Sequence, residues 1–179
     1  MRTFVAVEID NKEILRKIRS MQESAHFKAD PVRLDQIHFT LQFLGEIPDE
    51  KINEVKDVLM TLSFTKFYLN VLSCGAFPNS RNPRVVWLGV DNDGGRKISN
   101  LSKDVNLVLS RIGLKNDKPF KPHLTIFRVK TRIDDITNEL LKFKNVEFGK
   151  QMVSKIVIKK SNLTQNGPEY TNLGEIIGK

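Results

Sequence analysis

The sequence predicts an α+β fold in which one unit is used twice, giving a bilobal, pseudo-twofold molecule of two mainly antiparallel sheets, helices on their outer faces and a central groove. Three observations predict it. The order strand, helix, strand, helix, strand reads once over residues 2–75 and again over 84–160. Strand-like segments open the two stretches at residues 2 and 84, and a His-x-Thr motif recurs at 38 and 123, so the offsets 84 − 2 = 82 and 123 − 38 = 85 nearly coincide. Loop signals are short and local, at Gly45, Pro48, residues 77–83, Asp93-Gly94-Gly95 and Asn166-Gly167-Pro168, so no linker splits the 179 residues into independent domains.

Each element has its own warrant. Residues 2–9 are rich in β-branched and apolar side chains and read as a strand, after which Asp10 is expected to cap a helix, with Glu13 completing a capping box and Ile14, Ile18 and Met21 on one face. His38 to Leu44 reads as the next strand and stops at Gly45. Pro48-Asp49 opens a helix with the stripe Ile52, Val55, Leu59 and Leu62, followed by a strand near 66–74. The second round has a strand at 84–90 around Trp87, a helix at 96–112 carrying Ile98, Leu101, Val105, Val108 and Ile112, and a strand at 123–129. A weaker helix at 133–143 and a strand at 152–160 complete it.

Composition narrows the function. With 40% hydrophobic and 28% charged residues the chain is that of an ordinary globular protein, and no stretch approaches the roughly 20 apolar residues that span a bilayer. The apolar run at the N-terminus meets Glu8 too early for a signal peptide, and the single cysteine, Cys74, has no partner for an intramolecular disulfide. A cytoplasmic protein with no membrane association is expected. The formal charge of +8 suits a polyanionic partner such as nucleic acid, or is simply a well-solvated basic surface.

The chemistry lies in the strings Ile37-His38-Phe39-Thr40-Leu41 and Pro122-His123-Leu124-Thr125-Ile126. On a strand, residues two apart share a face, so each His and Thr point into the groove while Phe39, Leu41, Leu124 and Ile126 anchor the strands on the core. One imidazole near neutral pH can accept a proton while another donates one, a pair suited to displacement at phosphorus. The threonine hydroxyls and Arg128 are placed to hold the non-bridging oxygens and the charge of a pentacoordinate transition state. The third histidine, His26, reads as a helix-end residue without catalytic duty. Neither motif brings cysteine or carboxylate at ligand spacing, Asp35 being a marginal candidate, so no metal and no cofactor is expected.

At these strings the sequence resembles the two-histidine phosphoesterase superfamily, and within it the RNA 2′,3′-cyclic phosphodiesterases, also called 2′-5′ RNA ligase-like proteins. The resemblance runs over nearly the whole chain: Arg2-Thr3-Phe4-Val5-Ala6-Val7, His38 through Gly45, Lys121 through Arg128, and Ser161 through Tyr170. It implies both motifs on facing central strands and hydrolysis of a terminal 2′,3′-cyclic phosphate to a 2′-phosphomonoester. It further implies that His38 is the proton donor to the departing 3′ oxygen, that His123 is the proton acceptor activating water, and that Thr40 and Thr125 bind the phosphate. Arg128 matches a phosphate-contacting arginine of the family, where the first copy carries Phe43. Phe4 and Phe43 are candidates for base stacking or for lining the phosphate pocket, with core packing the alternative, and Tyr170 is a candidate hydrogen-bond donor to the substrate or a loop residue capping the sheet. The expected partner is RNA with 2′,3′-cyclic phosphate ends, tRNA-derived ends among them, and the expected state is a monomer. Two alternatives remain: 2′-5′ ligation at the same site, and a non-catalytic protein that binds RNA ends.

Overall fold

The computed structural model describes residues 1–179. A four-stranded antiparallel sheet has the order β3-β1-β8-β9, formed by β1 (Arg2–Glu8), β3 (His38–Glu46), β8 (Lys155–Thr164) and β9 (Gly167–Ile177). A five-stranded sheet has the order β2-β6-β5-β4-β7, formed by β2 (Asp30–Pro31), β4 (Phe67–Phe77), β5 (Val85–Val90), β6 (Leu124–Arg128) and β7 (Glu147–Val153). All the strand pairings are antiparallel. The helices are α1 (Lys12–Ser24), α2 (Lys51–Met60), α3 (Asn92–Ser110) and α4 (Thr137–Leu141). The α+β, duplicated, two-sheet expectation is met.

The two units exchange strands. β4 closes the first unit in sequence yet pairs with β5 of the second, while β8 closes the second and pairs with β1 of the first. Each unit therefore completes the other's sheet, and one core of 33 buried residues serves both. It contains the expected faces: Ile14, Ile18 and Met21 of α1, Ile52, Val55 and Leu59 of α2, and Ile98, Leu101, Val105 and Val108 of α3. Leu62 and Ile112 pack against it half-buried.

Several boundaries differ from expectation, each for a local reason. The cap of α1 is Asn11, whose Oδ1 accepts from the Ile14 amide at 3.1 Å. Asp10 instead accepts from Gln151 Nε2 at 2.7 Å, and Gln151 Oε1 takes the amides of Asp10 and Asn11, so the buried Gln151 of β7 fixes the helix start. Glu13 pairs with Arg16, not with the cap. α3 begins at Asn92, four residues before the expected start at 96, because Asp91 caps it at the Gly94 amide and Gly94 lets the first turn lie against β4: a Cβ there would sit 2.5 Å from Leu69 Cβ. The helix near 133–143 is a single turn, 137–141. The strand expected at 152–160 is two strands, β7 and β8, broken at Ser154, and the tail forms β9 in a hairpin with β8.

The motif strands meet where the sheets adjoin. β3 lies at the edge of its sheet, β6 is flanked beyond only by the two-residue β2, and β3 and β6 approach each other directly. The expectation of facing central strands becomes two neighbouring strands, one from each sheet. Ser102 of α3 donates to the Leu41 carbonyl at 2.9 Å, and Gln22 of α1 donates to the Ile126 carbonyl at 3.0 Å, so each motif strand is braced by a helix.

Candidate active site

Both histidines are held by the same device. His38 Nδ1 lies 2.7 Å from the Gln36 carbonyl and His123 Nδ1 lies 2.7 Å from the Lys121 carbonyl, each two residues upstream. A carbonyl only accepts, so each Nδ1 carries the proton and each neutral ring presents Nε2 as an acceptor. The Thr40 hydroxyl is 3.1 Å from His38 Nε2 and donates to it. Phe39, Leu41, Leu124 and Ile126 are buried, while His38, Thr40, His123 and Thr125 are half-buried on the opposite face, as alternation requires.

The surroundings of the two rings differ. Phe4 stacks on His38 with centroids 5.0 Å apart and planes inclined by 30°, and Tyr170 meets His38 edge-on at 5.4 Å and Phe4 edge-on at 5.1 Å. Phe4 is only 3% exposed and packs on the imidazole, leaving little free face for a base. Phe43, 6.0 Å from Phe4, is 68% exposed and does offer such a face. His123 is met edge-on by Phe77 at 5.1 Å, and Phe77 packs on Trp87 at 5.2 Å. The Trp87 ring lies over Gly75, where a Cβ would be 2.3 Å from the indole. Arg128, at the end of β6, is exposed, and its charge acts on His38 of the first motif.

The electrostatics separate the histidines further. Loss of surrounding water is the largest influence on His38. The Lys159 and Arg128 charges add to it, the Gln36 carbonyl and Glu8 oppose it, and the balance pushes the imidazole down to about 4. His38 is therefore neutral in the free protein at neutral pH. Burial works to raise the Glu8 carboxyl, but its hydrogen bond and ion pair with Lys159, helped by Asn172, outweigh this and hold it below the usual carboxylate range.

Sequence reasoning found the two histidines, two threonines and Arg128, and the fold gathers their strands. It missed the carbonyls of Gln36 and Lys121, Phe77, Trp87, Glu8 and Lys159. The two carbonyls occupy the same offset in both motifs, a signal that the repeat itself carried. Phe77 was hidden in a stretch read as loop. His26 lies just beyond α1, its amide bonded to Glu139, away from the paired motifs. No three His, Cys, Asp or Glu side chains converge in a way that could hold a metal ion, and no helix is long and apolar enough to cross a membrane.

Comparison with known proteins agrees with this geometry. The family model for LigT like phosphoesterases matches residues 7–87 and again 88–170. The chain belongs to this family. The RNA 2′,3′-cyclic phosphodiesterase of Archaeoglobus fulgidus is 35% identical over 97% of this chain and 98% of its own length. The crystal structure of the Thermus thermophilus protein TT0787 superposes with a TM-score of 0.81 at 26% identity, covering 99% of this chain and 97% of that one. E. coli LigT complexed with 3′-AMP superposes with a TM-score of 0.77 at 25% identity, covering 98% and 97%. LigT-like phosphoesterases thus share both the fold and its repeat with this chain.

Proposed function

We propose that this LigT-like phosphoesterase hydrolyses RNA 2′,3′-cyclic phosphate ends to 2′-phosphomonoesters by metal-independent acid–base catalysis between His38 and His123. The reading is supported by one observation: on the neighbouring strands β3 and β6 two imidazoles are each fixed by an Nδ1–H bond to the carbonyl two residues before it, with Thr40 and Thr125 on the same strand faces as their histidines and Arg128 at the end of β6. Curated relatives named RNA 2′,3′-cyclic phosphodiesterase, similar over nearly the full chain, supply the substrate class.

In this mechanism His123 Nε2 takes a proton from water as the oxygen attacks phosphorus. The P–O3′ bond breaks, and the departing 3′ oxygen receives the proton of His38 Nε2, leaving the phosphate on the 2′ oxygen. Arg128 and the two threonine hydroxyls bind the non-bridging oxygens, the Thr40 hydrogen turning from His38 Nε2 to the phosphate. His38 is neutral before substrate arrives, so its donor role requires that the anionic phosphate replace the stabilisation lost with water and recharge the ring. Phe43 stacks on a base and Tyr170 borders the phosphate. Since both histidines come from one chain, the reading is of a monomer with a single bilobal domain, acting in the cytoplasm on RNA ends, tRNA-derived ones included.

The test is incubation with an RNA bearing a 2′,3′-cyclic end, with a chelator present, followed by location of the phosphate in the product. A 2′-phosphate formed at an undiminished rate is expected. A 3′-phosphate, a joined 2′-5′ product in excess, or binding without turnover would each contradict the proposal.

A further inference from the structure

The chemistry above makes no use of a lysine buried in the floor of the groove. Lys159 stands in β8 opposite Phe4 of β1 and is 4% exposed. A buried ammonium is costly unless paired and hydrogen-bonded. Here Nζ lies 2.5 Å from Glu8 Oε1 and donates to Asn172 Oδ1 at 2.9 Å, while Asn172 Nδ2 donates to Glu8 at 3.3 Å, closing a ring of three side chains. Nζ also lies 5.9 Å from the centre of the Tyr170 ring. Three residues tie this ring to the first motif: Glu8 is the register partner of His38, Tyr170 is edge-on to its imidazole, and Phe4 stacks on it.

We propose that Lys159, clamped by Glu8 and Asn172, is a positioning residue for His38 that couples protonation of this imidazole to the arrival of an anion in the groove. The inference rests on reading the groove as a phosphodiester site. The charged and titratable groups around His38 come from four strands: Glu8 on β1, Arg128 on β6, Lys159 on β8 and Tyr170 on β9. Burial disfavours an imidazolium most, the Lys159 and Arg128 charges add to this, and the Gln36 carbonyl and Glu8 oppose it, with the balance on the side of the neutral ring. A phosphate anion held by Arg128 and the threonines cancels that repulsion, and His38 Nε2 takes a proton from solvent, the same proton that the 3′ oxygen later receives. His38 is then charged as an acid only when substrate is bound, which limits idle proton exchange with water.

The experiment is an NMR titration of the His38 ring in the intact protein, with and without inorganic phosphate as the probe. Lys159→Gln is expected to raise the midpoint by about one pH unit, Glu8→Gln to lower it, and Lys159→Arg to leave it near that of the unsubstituted protein. Opposite signs from two neighbouring substitutions are not produced by general loosening. Shifts of the same sign, or none, would overturn the proposal. If the glutamine variants do not fold, the unsubstituted protein decides: calorimetry in buffers of different ionisation heat should detect proton uptake on phosphate binding between about pH 5 and 6.5, and no uptake overturns the coupling. The titration needs no turnover. Opposed shifts without hydrolysis would refute the phosphodiesterase reading alone, and hydrolysis without the shifts would refute the role of Lys159 alone.

Discussion

Behind His38 the groove floor is charged, with Glu8, Lys159 and Asn172 bonded into one ring, whereas behind His123 it is aromatic, with Phe77 edge-on to the imidazole and Trp87 beyond it. The registers of the two sheets make the comparison residue by residue. Phe4 faces Phe43 and Lys159 on its two sides, and the matching Val85 faces Arg128 and Phe77. Ala6 beside Thr40 corresponds to Trp87 beside Thr125. What the halves share is backbone: a carbonyl two residues upstream that fixes each Nδ1. What differs is side chain, and the difference places the arginine on one strand, the exposed phenylalanine on the other, and the buried charges behind only one ring. Duplication thus supplies two imidazoles held in the same way, and substitution around them makes their surroundings unequal.

Substituting the histidines separately tests whether both halves are needed. His38→Asn and His123→Asn should each lower kcat on a 2′,3′-cyclic nucleotide by about a thousandfold with the fold intact, since positioned acid–base groups contribute roughly 10²–10⁴. A loss confined to one of them would make the other half a binding surface only. Arg128→Met should lower kcat/KM by about a hundredfold, while Arg2→Met, also an exposed arginine but at the far end of β1, should have no measurable effect in the same assay. Phe43→Ala sharpens the contrast at the position matching Arg128: KM for an RNA end should rise about tenfold with kcat nearly unchanged, as expected for loss of one base stack. The same KM change with inorganic phosphate as competitive inhibitor would place Phe43 at the phosphate and not at the base.

The parts of the fold that were legible in the sequence are those with local signals. Helical stripes fixed α1, α2 and α3, and alternation set Phe39, Leu41, Leu124 and Ile126 on the core side with the motif polar residues opposite. The exchange of β4 and β8 between units was not legible, because strand pairing is a non-local property and the same segments would alternate identically in either sheet. β9 escaped notice because most of its residues are half-buried or exposed, leaving no apolar period to count. In the site, the histidines and threonines were visible because the repeat doubled them. Lys159 was not, since a lysine in a strand ordinarily faces water, and only Glu8, far away in sequence, and Asn172, its partner across the β8–β9 hairpin, explain how it is buried.

The central claim is that His38 and His123 are two parts of one proton-transfer device, and the double variant tests it most directly. Single-turnover rates on an RNA 2′,3′-cyclic end should be as low for either single asparagine variant as for the two together, because removing one partner already disables the pair. If the double variant is slower by the product of the two single losses, the histidines act independently and the account of a shared push and pull across the groove is wrong.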